Sequence, residues 1–320
     1  MSTQTSIVET IMRRFSCRTF SGEPIEESAR AELAEAAAEM HTGPFGSRLR
    51  FGLAAATEKD GAALKRLGTY GTIRGATAFI LGAAEPRGQN PPGTSATNPP
   101  GTSATNPPGT SATNPPGTSA MYLEDFGHAM ERLILHATVL GLGTCWLGGF
   151  FTRGSFSRRI HATRDERIPA VAAVGRIFDL ERAQQGLMRR GAGGSRRKAW
   201  EVYFHDGQFG AVLSREAAGA YALPLEMARW APSASNRQPV RIVRIGTSWH
   251  FYIRRTPGYL PRFARTLTGI EDLQRVDSGI AMCHFELTAR EQGLLGRWVV
   301  SPPAIALPDD LTEYSATWEG

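Results

Sequence analysis

Four short polar segments of this chain carry residues whose types and spacing could do chemistry. In RRFSCRTF, Arg13 to Phe20, the residues Arg14, Ser16 and Arg18 alternate, so an extended backbone turns all three to one side. Two guanidinium groups and a hydroxyl on one face make a surface for a phosphate or another compact anion. Each charge-assisted hydrogen bond contributes roughly 1.5 to 3 kcal/mol, so two or three of them anchor a ligand in the micromolar range or better. The same pattern also reads as a plain pair of exposed arginines. In WAPSASNRQP, Trp230 to Pro239, the residues Pro232, Ser233, Ser235, Asn236 and Gln238 cannot continue a helix and present hydroxyls and amides on a rigid turn. Such a turn equally serves as a capped helix end leading into a strand, and composition does not decide between the two.

The third segment, GLGTCWLGGF from Gly141 to Phe150, has glycines spaced somewhat like a dinucleotide-binding loop. That loop follows a strand and opens a helix, whereas these glycines close a helix and lead into an apolar run. Gly148 and Gly149 would let a flat ligand approach the backbone closely enough to meet its N–H groups. The fourth, GAGGSRRKAW from Gly191 to Trp200, lacks P-loop spacing, and its basic triplet Arg196, Arg197 and Lys198 also fits a solvated turn. Metal and nucleophile chemistry find no support. His128 and His136 stand eight apart on a helix that is mostly core, and there is neither an HExxH pair nor a nucleophile elbow.

The elements that must position these segments show an internal repeat. Asp125 to Trp146 (DFGHAMERLILHATVLGLGTCW) returns 152 positions later as Asp277 to Trp298 (DSGIAMCHFELTAREQGLLGRW). Two similar lobes follow, and they have kept different polar pieces: RRFSCRTF only in the first, WAPSASNRQP only in the second. One site shared between lobes is the natural reading. The spacing predicts helices over Glu26 to Met40 and Glu124 to Leu140, the latter ended by Gly141 and Gly143. Strands are predicted over Thr77 to Gly82, Ala170 to Gly175, Val240 to Ile245 and Trp249 to Arg254. Helices around a modest, largely antiparallel sheet make an α+β architecture. The expected division is residues 1–205 for the first lobe and 206–320 for the second.

Composition narrows the function classes. A 320-residue chain with 41% hydrophobic residues is large enough to bury a ligand pocket, and no run approaches the roughly 20 apolar residues of a membrane span. The first residues place their arginines after a short apolar patch, the reverse of a secretory signal, so a cytoplasmic protein is expected. Three scattered cysteines fit neither a disulfide framework nor a zinc site. The net charge of +6 is spread in small arginine groups without a basic stripe or aromatic platform, which favours an anionic small ligand over nucleic acid. Asn90 to Ala120 repeats NPPGTSAT and offers nothing to a core, so it reads as an extended surface insertion.

Taken in order, the four segments resemble the nitroreductase family of FMN-dependent oxidoreductases, in particular its two-lobed TM nitroreductase branch. RRFSCRTF is similar to the family's Arg-x-Ser-x-Arg start, APSASNRQP to its Pro-Ser-x-x-Asn-x-Gln-Pro turn, the Asp125 to Gly149 stretch to its central helix and flavin-facing loop, and RRKAWEVYF to its basic C-terminal segment. The resemblance implies a nitroreductase-like α+β fold whose fused lobes form an intrachain pseudodimer around a central helix pair, sufficient as a monomer. It also implies one FMN per chain. By carry-over, Arg14, Ser16 and Arg197 meet the FMN phosphate and ribityl chain, and Arg18 the pyrimidine edge. Leu147, Gly148 and Gly149 face the N5 side, while Pro232, Ser233 and Asn236 reach across the lobe interface. NAD(P)H would reduce the flavin, and an electron-poor small-molecule acceptor would reoxidise it, by a ping-pong mechanism. The alternatives are a flavin-binding sensor or storage protein without turnover, and a degenerate pseudodimer with a structural role alone. In the first lobe, HTGPFGSRLRF (His41 to Phe51) stands where a second Pro-Ser turn would fall.

Overall fold

The computed structural model describes residues 5–55, 73–86, 121–149, 153–178, 196–259 and 268–320. The NPPGTSAT insertion, Phe150 and the glycine run 191–195 lie outside them. The first part of the chain runs α1 (Ile7–Arg13), α2 (Glu27–Glu39), β1 (Leu49–Ala55), β2 (Ala78–Ala84), α3 (Met121–Val139), β3 (Leu142–Leu147), α4 (Arg153–Arg159) and β4 (Val171–Arg176). The second part runs α5 (Trp200–Tyr203), β5 (Phe204–Asp206), α6 (Arg215–Ala218), α7 (Ala222–Trp230), β6 (Val240–Ile245), β7 (Ser248–Arg254), α8 (Leu273–Glu291), β8 (Arg297–Val299) and β9 (Thr312–Glu319).

Two sheets result. The first has strand order β1-β2-β4-β3 with every pair antiparallel. The second has order β5-β6-β7-β9-β8, antiparallel except for the parallel pair β5 and β6. The predicted α+β class with mostly antiparallel sheets therefore holds. A lobe boundary drawn after residue 205 falls inside β5, whose strand partner belongs to the second sheet. The run after Gly141 is strand β3, paired with β4 from Leu142 against Arg176 to Leu147 against Val171.

At the centre lie α3 and α8, 19 residues each, which carry the internal repeat. Both are buried along almost their whole length, including polar positions such as Glu124, Asp125, Glu131, Asp277 and His284. Two helices buried on nearly all sides need close approach somewhere, and glycine provides it. A Cβ on Gly127 would overlap the Val276 carbonyl oxygen, and one on Gly279 would overlap that of Glu124. Position 279 is the repeat counterpart of 127, and 276 of 124, so the crossing has a local pseudo-twofold axis.

The main core joins both lobes: Phe126, Met130, Leu133 and Ile134 of α3 share it with Phe285 of α8, Phe251 of β7 and Trp318 of β9. A second cluster, Phe15, Cys17, Phe20, Phe79, Cys145 and Phe156, packs on the other side of the first sheet. A third, Ile11, Leu135, Met227 and Cys283, ties α1, α3, α7 and α8 together. Among the described residues, no helix is long and apolar enough to cross a membrane.

Candidate functional site

Helix α1 starts at Ser6, whose hydroxyl accepts from Val8 N at 3.2 Å, and stops at Arg14, which is extended with φ −60° and ψ 129°. The extended chain then lies along β3. Ser16 forms a parallel bridge to Thr144, and Cys17 N donates to Thr144 O at 2.8 Å. Alternation does the rest: Phe15 and Cys17 enter the second core cluster, while Arg14, Ser16 and Arg18 take the opposite, partly exposed face. Burial pushes the Cys17 thiol up to about 11, which leaves it a packing residue. Burial likewise raises the Cys145 thiol, opposed by the positive charges of Arg18 and Arg14, so both guanidiniums stand near the middle of β3.

The Arg14 side chain is only 6% exposed, and its Nε lies 3.5 Å from Oε1 of the fully buried Glu131. Among the described residues, that Nε makes no hydrogen bond. Glu131 of α3 also accepts from the Trp146 indole at 2.6 Å and stands 2.9 Å from His284 Nε2. The other ring nitrogen of His284 faces Met227 O at 3.1 Å. A carboxylate in the core is costly unless it is surrounded by donors and a cation. Arg14, Trp146 and His284 are those groups, drawn from three elements and both lobes. Glu131 was missed as a candidate, and its only signal in the sequence is a charge between Met130 and Leu133 on a buried stripe.

The Pro-Ser turn follows α7. Its backbone is unusual, with positive φ at Ser235 (50°), Asn236 (52°) and Gln238 (54°), which must be held by contacts elsewhere. Ser233 Oγ accepts from Gln238 N at 2.8 Å, and Ala234 N donates to Asp277 Oδ1 at 2.9 Å. The Gln238 side chain accepts from Lys198 N (2.8 Å) and the Tyr203 hydroxyl (2.9 Å) and donates to Arg196 O (3.1 Å). Arg197 donates to Trp230 O at 2.9 Å and to Asn236 Oδ1 at 3.2 Å, and its guanidinium lies 5.4 Å from the centre of the Trp230 ring. Arg197, Ser233 and Asn236 are thus brought together, with Gln238 and Asp277 as their unforeseen supports.

The glycine loop reaches the same place from the first lobe. Leu147 is buried. A Cβ on Gly148 would meet Leu273 Cδ2 at 2.7 Å, whereas at Gly149 the nearest atom is Ile270 Cδ1 at 4.0 Å. Leu273 opens α8 one turn before Asp277, which holds the Pro-Ser turn. Leu147, Gly148, Pro232, Ser233, Asn236 and Arg197 therefore gather around the start of α8. Ser16 lies along β3 at Thr144, the strand that runs on to Leu147 and Gly148. Arg14 and Arg197 are linked through Glu131, His284 and the segment Met227 to Trp230 of α7. Arg14 also lines a cavity of about 460 Å³ with Phe15, Thr138, Thr144 and Phe178.

Burial drives the Asp277 carboxyl well above its ordinary range, opposed by the Ala234 N–H, and among the described residues its Oδ2 has no hydrogen-bond partner. Its repeat counterpart Asp125 plays the same structural part in the first lobe, accepting from Phe45 N at 2.8 Å and Ser47 N at 2.9 Å. The Gly43 to Ser47 loop therefore occupies the position of the Pro-Ser turn, without its hydroxyl-amide series. Among the described residues, no cluster of His, Cys, Asp and Glu could hold a metal ion.

Two family models match the chain. One described as Nitroreductase family covers residues 11–176, and one described as Putative TM nitroreductase covers residues 116–289. Among solved structures, one described as a putative nitroreductase from Thermotoga maritima is 16% identical, with a TM-score of 0.56, over 100% of this chain and 95% of its own. One described as an oxidoreductase containing FMN is 17% identical over 66% of this chain and 96% of its own, with a TM-score of 0.42. A nitroreductase family protein from Clostridium difficile is 15% identical over 58% and 96%, with a TM-score of 0.38. At such identities the Thermotoga structure speaks for the fold alone. Among curated proteins, none matches this chain.

Proposed function

The chain belongs to the nitroreductase family, and from that premise we propose that it is an FMN-dependent oxidoreductase passing electrons from NAD(P)H to an electron-poor small molecule. What supports this most is that the candidate segments sit on packed elements of both lobes: Ser16 lies along Thr144 of β3, Gly148 just past that strand abuts Leu273 of α8, and Arg197 bonds Asn236 in the turn that Asp277 of α8 holds. The chemistry of these groups suits FMN. Arg14 Nε is buried 3.5 Å from Glu131 without a hydrogen bond among the described residues, and the backbone at Gly148 and Gly149 carries no side chain to obstruct a planar ring.

In this reading Arg14, Ser16 and Arg197 hold the phosphate and ribityl chain, and Arg18 sits toward the pyrimidine edge. A cation there favours negative charge on the ring system. Pro232, Ser233 and Asn236 wall the site across the lobe interface, and Leu147, Gly148 and Gly149 line its N5 side. FMN, when bound, supplies the two-electron chemistry, accepting a hydride and handing electrons on. The protein contributes placement and charge. Donor and acceptor use one pocket in turn, which gives ping-pong kinetics. Because the lobes supply both halves of the site, a monomer with one FMN suffices.

The test is an absorbance spectrum of the purified protein, taken anaerobically before and after NADPH. A flavin spectrum that bleaches on NADPH is expected. A protein that neither carries nor takes up FMN overturns the proposal, and bound flavin that NADPH and NADH both fail to reduce would leave a flavin-binding protein without this turnover.

A further inference from the structure

Beside the Asn236 to Gln238 stretch lies a second polar cavity, of about 390 Å³, walled by Lys198, Arg237, Arg241, Arg254 and Arg255 with Ser235, Asn236, Thr256, Pro257 and Leu311. Neighbouring residues in an extended segment face opposite ways. Arg197 turns to Trp230 O and Asn236, while Lys198 Nζ turns to the carbonyls of Arg237 (2.9 Å) and Gln238 (3.3 Å). The floor is Arg241, 5% exposed, which donates to Gln238 O at 3.0 Å and Val240 O at 2.6 Å and lies 5.4 Å from the centre of the Tyr203 ring.

The charges around this cavity do not balance. Arg254 pairs with Asp309 at 2.9 Å, and Arg255 with Asp272 at 2.6 Å and with Glu313. Glu313 is shared with Arg275 at 3.0 Å. Lys198, Arg237 and Arg241 have no carboxylate within 4 Å among the described residues, Asp309 acting on Arg241 only from farther off; Arg237 lies 5.4 Å from the centre of the Tyr259 ring. The cost shows in the titration of Lys198 and Arg241. Burial, then the charges of Arg241, Arg254 and Arg237, push Lys198 down to about 8. Burial lowers Arg241 as well. Cations held together at a cost, around a cavity of ligand size, indicate a bound anion that relieves it.

We propose that this cavity binds the phosphate monoester of a phosphorylated ligand, with Arg241 at the floor and Lys198, Arg237 and Arg254 around the dianion. Several cations without carboxylates call for a dianion rather than a monocarboxylate, and guanidinium forks match phosphate oxygens. Ser235 and Thr256 add hydroxyls, and Pro257 and Leu311 give an apolar shelf for the rest of the ligand. If the proposed oxidoreductase reading is right, one ligand of this class is already at hand, the 2′-phosphate of NADPH; that source rests on the reading, while the phosphate site itself does not.

Calorimetric titration of the full chain saturated with FMN tests it, using 2′,5′-ADP, inorganic phosphate and acetate as probes. One site per chain is expected for 2′,5′-ADP and for phosphate, none for acetate, with affinity falling about tenfold or more in Arg237→Gln and in Arg241→Gln while bound FMN stays unchanged. Failure of both phosphate probes to bind at millimolar concentration, or equal affinity in both variants, overturns the proposal. So does release of FMN by 2′,5′-ADP, since the cavity would then be the flavin's own phosphate site. If NADPH is the source, Arg237→Gln raises the KM for NADPH and leaves that for NADH alone. Phosphate binding that the variants weaken, without that KM difference, upholds the site and assigns it to another phosphate ester. A chain that oxidises neither nucleotide still gives the calorimetric result.

Discussion

Gly127 and Gly279, repeat counterparts 152 positions apart, face each other where the two central helices cross. A Cβ built on Gly127 would collide with the Val276 carbonyl oxygen and lie 3.2 Å from the Gly279 Cα; one on Gly279 would collide with the Glu124 carbonyl oxygen and lie 2.9 Å from His128 N. The atoms in the way are backbone, which yields only by separating the helices. Gly127→Ala and Gly279→Ala should each lower stability by about 1 to 3 kcal/mol or more. Because one displacement relieves both, the double variant should lose less than the sum of the two. Urea denaturation measures this, and a wild-type midpoint in either single variant would contradict the crossing.

Asp125 and Asp277 hold equivalent turns but differ in one oxygen. Both oxygens of Asp125 accept backbone N–H groups, from Phe45 and Ser47, so Asp125→Asn must set an amide NH2 against a donor. Asp277 needs only one oxygen, for Ala234 N, and its other is buried without a partner among the described residues. Asp125→Asn should cost about 1 to 3 kcal/mol, whereas Asp277→Asn, which also removes a buried ionisable group, should cost less than about 1 kcal/mol. Equal losses in the two variants would refute the distinction.

The helix pair and the alternating Arg14, Ser16 and Arg18 were legible because each rests on a local rule, helical or strand periodicity. Within His41 to Phe51, where the resemblance looks for a second turn, Asp125 accepts from Phe45 N and Ser47 N. Strands β1, β3, β5, β8 and β9 were not marked out as strands. Leu142–Leu147 looks like a glycine-broken run after a helix, and its strand character comes from pairing with β4, which no local pattern encodes. The supports of the site were hidden for the same reason. Glu131 and His284 meet only because α3 and α8 cross, and Gln238 reads as one more turn residue until Lys198 and Tyr203 are found bonded to it.

Acid should act through Glu286. Burial alone would raise its carboxyl, but His128 at 2.8 Å, Arg290 and the Trp298 indole bring it down to about 2 from an ordinary 4.5. For a carboxyl depressed in the folded state, the stabilisation is complete above pH 4.5 and is lost as pH falls from there through about 2. The difference amounts to roughly 3 kcal/mol. Glu286→Gln should be less stable than the wild type at pH 6 and approach it near pH 2, and Trp298 next to the carboxyl offers a fluorescence signal. Parallel stability curves for the two proteins between pH 6 and 2 would show that this cluster does not carry the acid sensitivity.

The two pseudo-equivalent positions at the lobe interface should differ in flavin binding. One has the Arg14 and Ser16 face and the Pro-Ser turn. The other has the Gly43 to Ser47 loop beside a cavity of about 310 Å³ lined by His128, Arg132, Glu286, Arg290, Arg297 and Trp298. Its arginines are partly engaged, Arg290 by Glu286 at 2.8 Å and Arg297 by Glu319 at 3.1 Å, and nothing there repeats the Arg-x-Ser-x-Arg strand. FMN titrated into the cofactor-free chain should therefore bind with a stoichiometry of one. Arg14→Ala should weaken it about ten- to a hundredfold, as expected for losing one charged contact to a dianion. Because Arg14 also faces Glu131, the melting temperature must be followed alongside, and Arg14→Lys should recover part of the affinity by restoring the charge without the fork. A stoichiometry near two, or an unchanged dissociation constant in Arg14→Ala, would mean that the strand after α1 is not the phosphate anchor.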